Sequence, residues 1–450
     1  MFLGALLPLL GMGLAMVFVA CGEPQPNQAL ENLRGLGEGS ASGCPGCVLR
    51  DAIASAQPGD TIEIPEGVYS LPFGELLIDK DLTLVGAGPH KTIIEASETP
   101  GTASHRVLRI SFGSTVTISG MTLRHGVEDS KAERMVIFPV LPGGIVTVFH
   151  EFGGGVYNHG TLHLNNVIIT ENQSGSGSGI FNGGTMTLTS CNISRNFADA
   201  MGGGIFNGGF LTVTGCVIGE NVANTGAGVE NWADITIAQT TISGNESRII
   251  GGGVHNTSVG TVFINASTLS DNHALYGGAI RNEGNLTLTN STASSNTATA
   301  GAGIQNSGNL ISADSTLSGN HASRNGGGIL TSQASRRATT EIVNTILAGN
   351  TALEGPDCDG EIASKGNNLI GNAGACLIRP SSGDLIGTSS QPVDPRLAPL
   401  GDNGGPTQTL ALLPGSPAID GGGDGPDLET DQRGRPRRQG AARDIGAFER

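Results

Sequence analysis

The chain has 450 residues, 72 of them glycine, with 37% apolar and only 4% aromatic residues and a formal net charge of -16. Glycine at that level without a three-residue period excludes collagen, and sustained Val/Ile/Leu patterning excludes a disordered chain. The negative charge argues against nucleic acid or an anionic membrane surface as the main partner, and it would repel polyuronic acids unless a cation bridged them.

In chain order, residues 2–20 are continuously apolar and end at Cys21, followed by Gly22. A short apolar run closing on small residues reads as an export signal. Its Phe-Val-Ala-Cys ending resembles a bacterial lipoprotein cleavage site, which would make Cys21 the lipidated anchor in the cell envelope; an uncleaved membrane anchor is the alternative. Residues 22–43 are polar and Gly/Ser-rich, a flexible tether. Export permits disulfides, and Cys358 with Cys376 closes one loop in an irregular region. The Cys44-Pro-Gly-Cys47 spacing is that of a redox motif, but no thioredoxin-like context surrounds it, so a structural bridge is expected. Residues 47–56 place Val48, Leu49, Ala52, Ile53 and Ala56 on one helical face, as a cap over a solenoid end would. Residues 60–126 carry irregular strands, so 44–126 reads as cap and first coils. Residues 127–150 interrupt the pattern and are expected to project as an inserted loop.

From Gly153 a phrase typified by GGGIFNGGFLTVTGCVIGEN recurs eight times, at spacings of 24 to 26 residues. Such a period marks a stacked-repeat fold. Three apolar columns run through the copies: Val156, Ile180, Ile205 and onward; Leu164, Leu188, Val213 and onward; Ile169, Ile193, Ile218 and onward. Three short strands per period, each with an inward residue, describe one coil of a parallel β-helix over residues 151–350. Two asparagine columns, Asn158 to Asn306 and Asn172 to Asn350, mark corners. Asparagine tolerates left-handed turns, and its amide can bond the identical amide one coil away.

Candidate chemistry lies in what varies between copies. Alternation points Tyr157, Phe181, Phe206, Glu230, His255 and Arg281 outward, with Trp232 on the same side. Aromatic faces about 5 Å apart could stack on sugar rings; alternatively they stack on each other or lie beneath the 127–150 loop. Glu171, Arg195 and Glu220 form an acid–base–acid column. A polysaccharide lyase needs a base and cation-holding carboxylates, but opposite charges on neighbouring strands are ordinary sheet stabilisers, and that reading is preferred. Cys191 and Cys216 occupy an inward column of small residues. The nine histidines show no metal-ligand spacing, and no P-loop, nucleophile elbow or zinc motif occurs, so no metal or cofactor is assigned. Asp420, Asp424, Asp427, Glu429 and Asp431 crowd a glycine-rich stretch that would suit Ca²⁺, although their irregular spacing favours a solvated loop.

CVLRDAI with PGDTIEIPEGVY resembles an N-terminal domain named for a Cys-Ser-Leu-Arg-Glu-Ala motif, with Val48 and Asp51 as departures. LGDNGGPTQTLALLPGSPAID (400–420), TDQRGRPR (430–437) and DIGAFE (444–449) resemble the choice-of-anchor Q domain of exported bacterial β-helix proteins. GGAI at 277–280 is similar to repeats of polymorphic outer-membrane proteins. The resemblance implies an all-β, right-handed parallel β-helix exported to the envelope, with residues 351–450 as an irregular C-terminal cap. It implies no catalytic residues. The sequence ends directly after DIGAFE, which leaves Cys21 as the expected anchor. The functional expectation is a monomeric, non-catalytic surface module that binds polysaccharide or contacts another cell surface. Alternatives are a polysaccharide lyase or glycoside hydrolase on the same fold, by analogy alone, and a passive envelope spacer.

Overall fold

The computed structural model describes Gly35 and residues 44–128, 152–332, 338–423 and 428–450. The export segment, Cys21, most of the tether and nearly all of the inserted loop lie outside the described residues. Val127 and Glu128, assigned above to that loop, instead pair with Gln173 and Ser174 as a strand.

The expected fold class holds: the chain winds into a right-handed parallel β-solenoid of about 11 turns. One coil reads Ile180–Asn182, Thr185–Thr189, Asn192–Ser194 and Phe197–Met201. Identical positions stack, with Ile180 opposite Ile205, Leu188 opposite Val213 and Ile193 opposite Ile218. All three apolar columns are buried, so each coil leaves the same residue type for the next to cover. The N-terminal coils join in register, Leu84 pairing with Ile118 and Ile118 with Leu164.

Sequence periodicity gave three strands per coil, and the structure has four. The first three join one continuous sheet, while the fourth forms a separate eight-stranded sheet from Val127–Glu128 to His321–Asn325. The inward residues of that fourth strand are Ser174, Ala198, Ala223, Ser247, Ala274, Ala298 and Ala322. Side chains this small bury little apolar area, so they leave no hydrophobic column to read.

Both asparagine columns are hydrogen-bonded ladders. Asn158 Nδ2 donates to Asn182 Oδ1 at 2.8 Å, and the pattern repeats to Asn306, where the hydroxyl of Thr340 takes over. The second ladder runs from Asn172 to Asn350 and ends on the Asp357 carboxylate, at 3.0 Å. Burial pushes Asp357 up to about 6, against the backbone and amide donors of Asn350. The residue before each second-ladder asparagine is left-handed: φ is 57° at Glu171, 56° at Arg195 and 56° at Glu220. Backbone geometry therefore governs that acid–base–acid column. Arg195 and Glu220 are exposed, and no ion pair joins Arg195 to either glutamate among the described residues. Glu171 instead faces Nε2 of His125 at 3.0 Å.

The helix Pro45–Ser55 buries Leu49, Ala52 and Ile53 over the first coil. Cys44 is bonded to Cys47 and Cys358 to Cys376, while Cys191 and Cys216 are free and buried. The C-terminal region departs from the end cap expected above. Coils continue to Leu385–Ile386, past the boundary at 350. The remaining chain then runs back along one side of the rod, over the corner formed by Ala266, Asn290, Asp314 and Asn344. Thr407 Oγ1 donates to the Ala266 carbonyl at 3.1 Å, Asn290 Nδ2 to Thr430 O at 2.8 Å, and Gly446 N to Asn344 O at 2.9 Å. Gln432 Nε2 donates to Thr268 Oγ1 at 2.9 Å, and Arg443 Nη2 to Asp314 Oδ1 at 2.9 Å. Under this cover the third strands change from half-exposed, as in Thr241–Ser243, to fully buried, as in Thr268–Ser270, Thr292–Ser294 and Thr316–Ser318.

Candidate functional site

The column Tyr157–Arg281 faces away from the main core, yet it is not the exposed stripe expected from alternation. Phe181 is 5% exposed, Phe206 0%, Glu230 1% and His255 6%. The fourth strand and its tight glycine turn double back over it: a Cβ on Gly177 would lie 3.0 Å from Phe206 Cβ and 3.1 Å from Phe181 Cα. Met201, at the end of a fourth strand, packs on the rings together with Phe152. The rings stack on each other, Tyr157 on Phe181 at 5.0 Å and 14°, and Phe181 on Phe206 at 5.4 Å and 17°. Arg106 lies over the Tyr157 face at 4.5 Å, and Trp232 adjoins Phe206 at 5.9 Å. With their faces spent on one another, these rings form a second core along the rod.

The same column turns ionisable at Glu230. Its carboxylate accepts from Trp232 Nε1 at 2.8 Å, from Thr225 Oγ1 at 2.9 Å, and faces His255 Nδ1 at 2.9 Å. Burial disfavours the charged imidazole of His255, but the Glu230 carboxylate outweighs it and the His255 pKa is raised. His255 Nε2 is enclosed and has no hydrogen-bond partner among the described residues; it lies 3.9 Å from Glu283 Oε1. Glu283 is in turn held by Arg281 at 2.9 Å. Sequence reasoning named Glu230, Trp232, His255 and Arg281, and the structure brings them together; it missed Thr225 and Glu283, which lie one turn before and two residues after the column.

Two clefts open on one corner of the solenoid, between first and second strands. One, of about 470 Å³, is lined by Ser258, Arg281, Glu283, Asn285, Ser307 and Asn309 with their glycines. The other, also about 470 Å³, is lined by Phe112, Ser114, His159, Thr161 and Thr185 over glycine turns. They stand five coils apart, roughly 24 Å along the axis. Beside them runs the outer face of the second strands. From Thr161 to Ala313 its outward positions are chiefly threonine and asparagine, with His163 and Asp234 as the only ionisable groups. Phe210 stands 64% exposed on this face and Phe263 50%. Both occupy outward positions of their second strands, Phe210–Thr214 and Thr261–Asn265, a placement that strand alternation alone carries.

Among the described residues no cluster of His, Cys, Asp or Glu has the makings of a metal site, and no helix is long and apolar enough to cross a membrane. Of the acidic stretch near the C-terminus, Asp431 pairs with Arg433 at 2.6 Å and Asp420 accepts from Ala442 N at 3.0 Å; Asp424 and Asp427 lie outside the described residues.

No family model matches the chain, and no curated protein matches it by sequence. Among solved structures it is similar to the pectate lyase Pel9A, at 14% identity over 89% of this chain and 90% of that one, with a TM-score of 0.47. It is also similar to the A-module of mannuronan C-5 epimerase AlgE6 of Azotobacter vinelandii, at 15% identity over 79% of this chain and 98% of that one (TM-score 0.40). PfbA, a surface adhesin of Streptococcus pneumoniae, matches at 11% identity over 86% of this chain and 98% of that one (TM-score 0.41). Lyase, epimerase and adhesin share the parallel β-helix class with this chain, and at these values the likeness assigns no activity.

Proposed function

We propose that the protein is an exported surface rod that binds a neutral polysaccharide without cleaving it, through the outer face of its second strands. The observation that carries this reading is the pair Phe210 and Phe263, standing exposed on a nearly uncharged Thr/Asn surface of a chain with net charge -16. An exposed ring offers an apolar face to the apolar face of a sugar, while flanking hydroxyls and amides meet the sugar hydroxyls. The repulsion that the net charge exerts on uronates favours neutral chains. Anchoring through lipidated Cys21, and membership of the choice-of-anchor Q group, belong to the same proposal. Replacing Cys21 with Ser should release the protein from the membrane fraction.

The test is incubation with neutral and acidic polysaccharides, with and without Ca²⁺, followed by analysis of both retention and products. Retention without new reducing ends or unsaturated products is the expected result. A second reading, lyase or hydrolase, is favoured by the Glu230–His255 pair beside the Arg281–Glu283 cleft. Products that disappear in His255→Ala would establish that reading and overturn the first.

A further inference from the structure

Resting on the glycan-binding reading, we propose that the cleft walled by Phe112, Ser114, His159, Thr161 and Thr185 is a subsite for one pyranose ring of a neutral glycan whose next rings pass over Phe210. The site is built. Its floor is formed by glycine turns that the stacking of the coils requires: a Cβ on Gly184 would fall 2.2 Å from the Gly160 carbonyl and one on Gly160 would fall 2.5 Å from the Ser114 carbonyl, so neighbouring coils approach too closely there for a larger residue. At about 470 Å³ the space lies within the range of small-molecule sites. Phe112 is 91% exposed at its rim, the most exposed large apolar side chain described, and so offers a ring face to a sugar.

The polar groups suit a polyol. The Ser114 hydroxyl has no partner among the described residues but is buried, so the polar contacts fall to His159, Thr161 and Thr185. His159 is oriented from behind: its Nε2 lies 2.7 Å from the Tyr157 hydroxyl, and its ring packs against Tyr157 at 4.7 Å. Nδ1 lies 3.1 Å from where a Gly183 Cβ would stand, so glycine there keeps that nitrogen uncovered on the cleft side. Burial, then Arg109 and Arg106, lowers the His159 pKa, which favours the neutral imidazole. In the tautomer in which the Tyr157 hydroxyl donates to Nε2, Nδ1 carries the proton and is placed to donate to a sugar hydroxyl. The cleft continues into the outer face, since Thr185 on its lip pairs directly with Phe210 on the next coil.

The test is calorimetric titration of the full chain with cello-, manno- and xylo-oligosaccharides of one to six rings. Phe112→Ala and His159→Phe, the latter keeping the aromatic packing, should each weaken the best oligosaccharide about tenfold with little change in melting temperature. If Phe210→Ala weakens binding while both cleft variants bind as the parent does, the subsite is overturned and the broader reading stands. If the parent protein binds none of these oligosaccharides and no neutral polysaccharide, both fall.

Discussion

At the scale of single residues, the structure is governed by what each column can satisfy once it is buried. Asn245 donates to Asn272 at 2.9 Å and to the Ile218 carbonyl at 3.0 Å, while its own oxygen accepts from Asn221 at 3.0 Å. Asn245→Ala strands partners on both neighbouring coils. The expected loss is about 1–3 kcal/mol for each buried group left unpaired, read by chemical denaturation. His255 supplies a pH signature. Its folded-state pKa is raised above the ordinary 6.5, so its stabilisation is complete below that value and is lost as pH rises through the folded-state pKa. Melting temperature should therefore fall across that window on the alkaline side of 6.5, and His255→Gln should flatten the fall. An unchanged slope in the variant would remove the Glu230–His255 pair as its cause.

At the scale of elements, legibility in the sequence follows side-chain size and sequence distance. The three inward apolar columns and both asparagine ladders were readable because burial demands the same residue from every coil. The fourth strand was hidden because its inward residues are alanine and serine, and this concealed the fate of the aromatic column, which is outward only until that strand folds over it. The C-terminal segment was readable as motifs but not as placement, because its contacts bridge positions about 140 residues apart, such as Asn290 with Thr430. The motif residues themselves make the docking: Gln432 reaches Thr268 and Thr292, and Asp431 anchors Arg433, whose guanidinium lies 3.5 Å from the centre of the Phe448 ring. Asp314 is the keystone beneath them. Burial raises its pKa, and Arg437 and Arg443 counter the rise. Arg443→Met leaves that buried carboxylate short of a partner, which should cost roughly 3 kcal/mol. Limited proteolysis should then release the segment after 388 faster than it does from the parent. Equal rates would mean that the Arg443–Asp314 pair is dispensable and that the remaining contacts, the Gln432 and Asn290 hydrogen bonds and the packing of Ile445 and Phe448, hold it.

For the whole molecule, about 11 turns at ~4.8 Å give a rod of roughly 50 Å, stiffened by two amide ladders and a stacked-ring column. The outer face of the second strands, with its corner clefts, is a long surface open to a chain-like partner; the C-terminal segment occupies another side, and the outer face of the fourth strands, with Ile249, Leu275 and Tyr276 exposed, is a further open one. Phe181 and Phe206 serve the rod; Phe210 and Phe263 face its surroundings. Retention on insoluble neutral polysaccharides separates these roles directly. The double variant Phe210→Ala/Phe263→Ala should lose retention while keeping the parent melting temperature. Phe206→Ala should melt earlier, by the about 3–5 kcal/mol expected of an emptied ring site, yet be retained as the parent is while folded. Retention that survives the surface pair and vanishes with Phe206 would contradict the assignment of binding to this face.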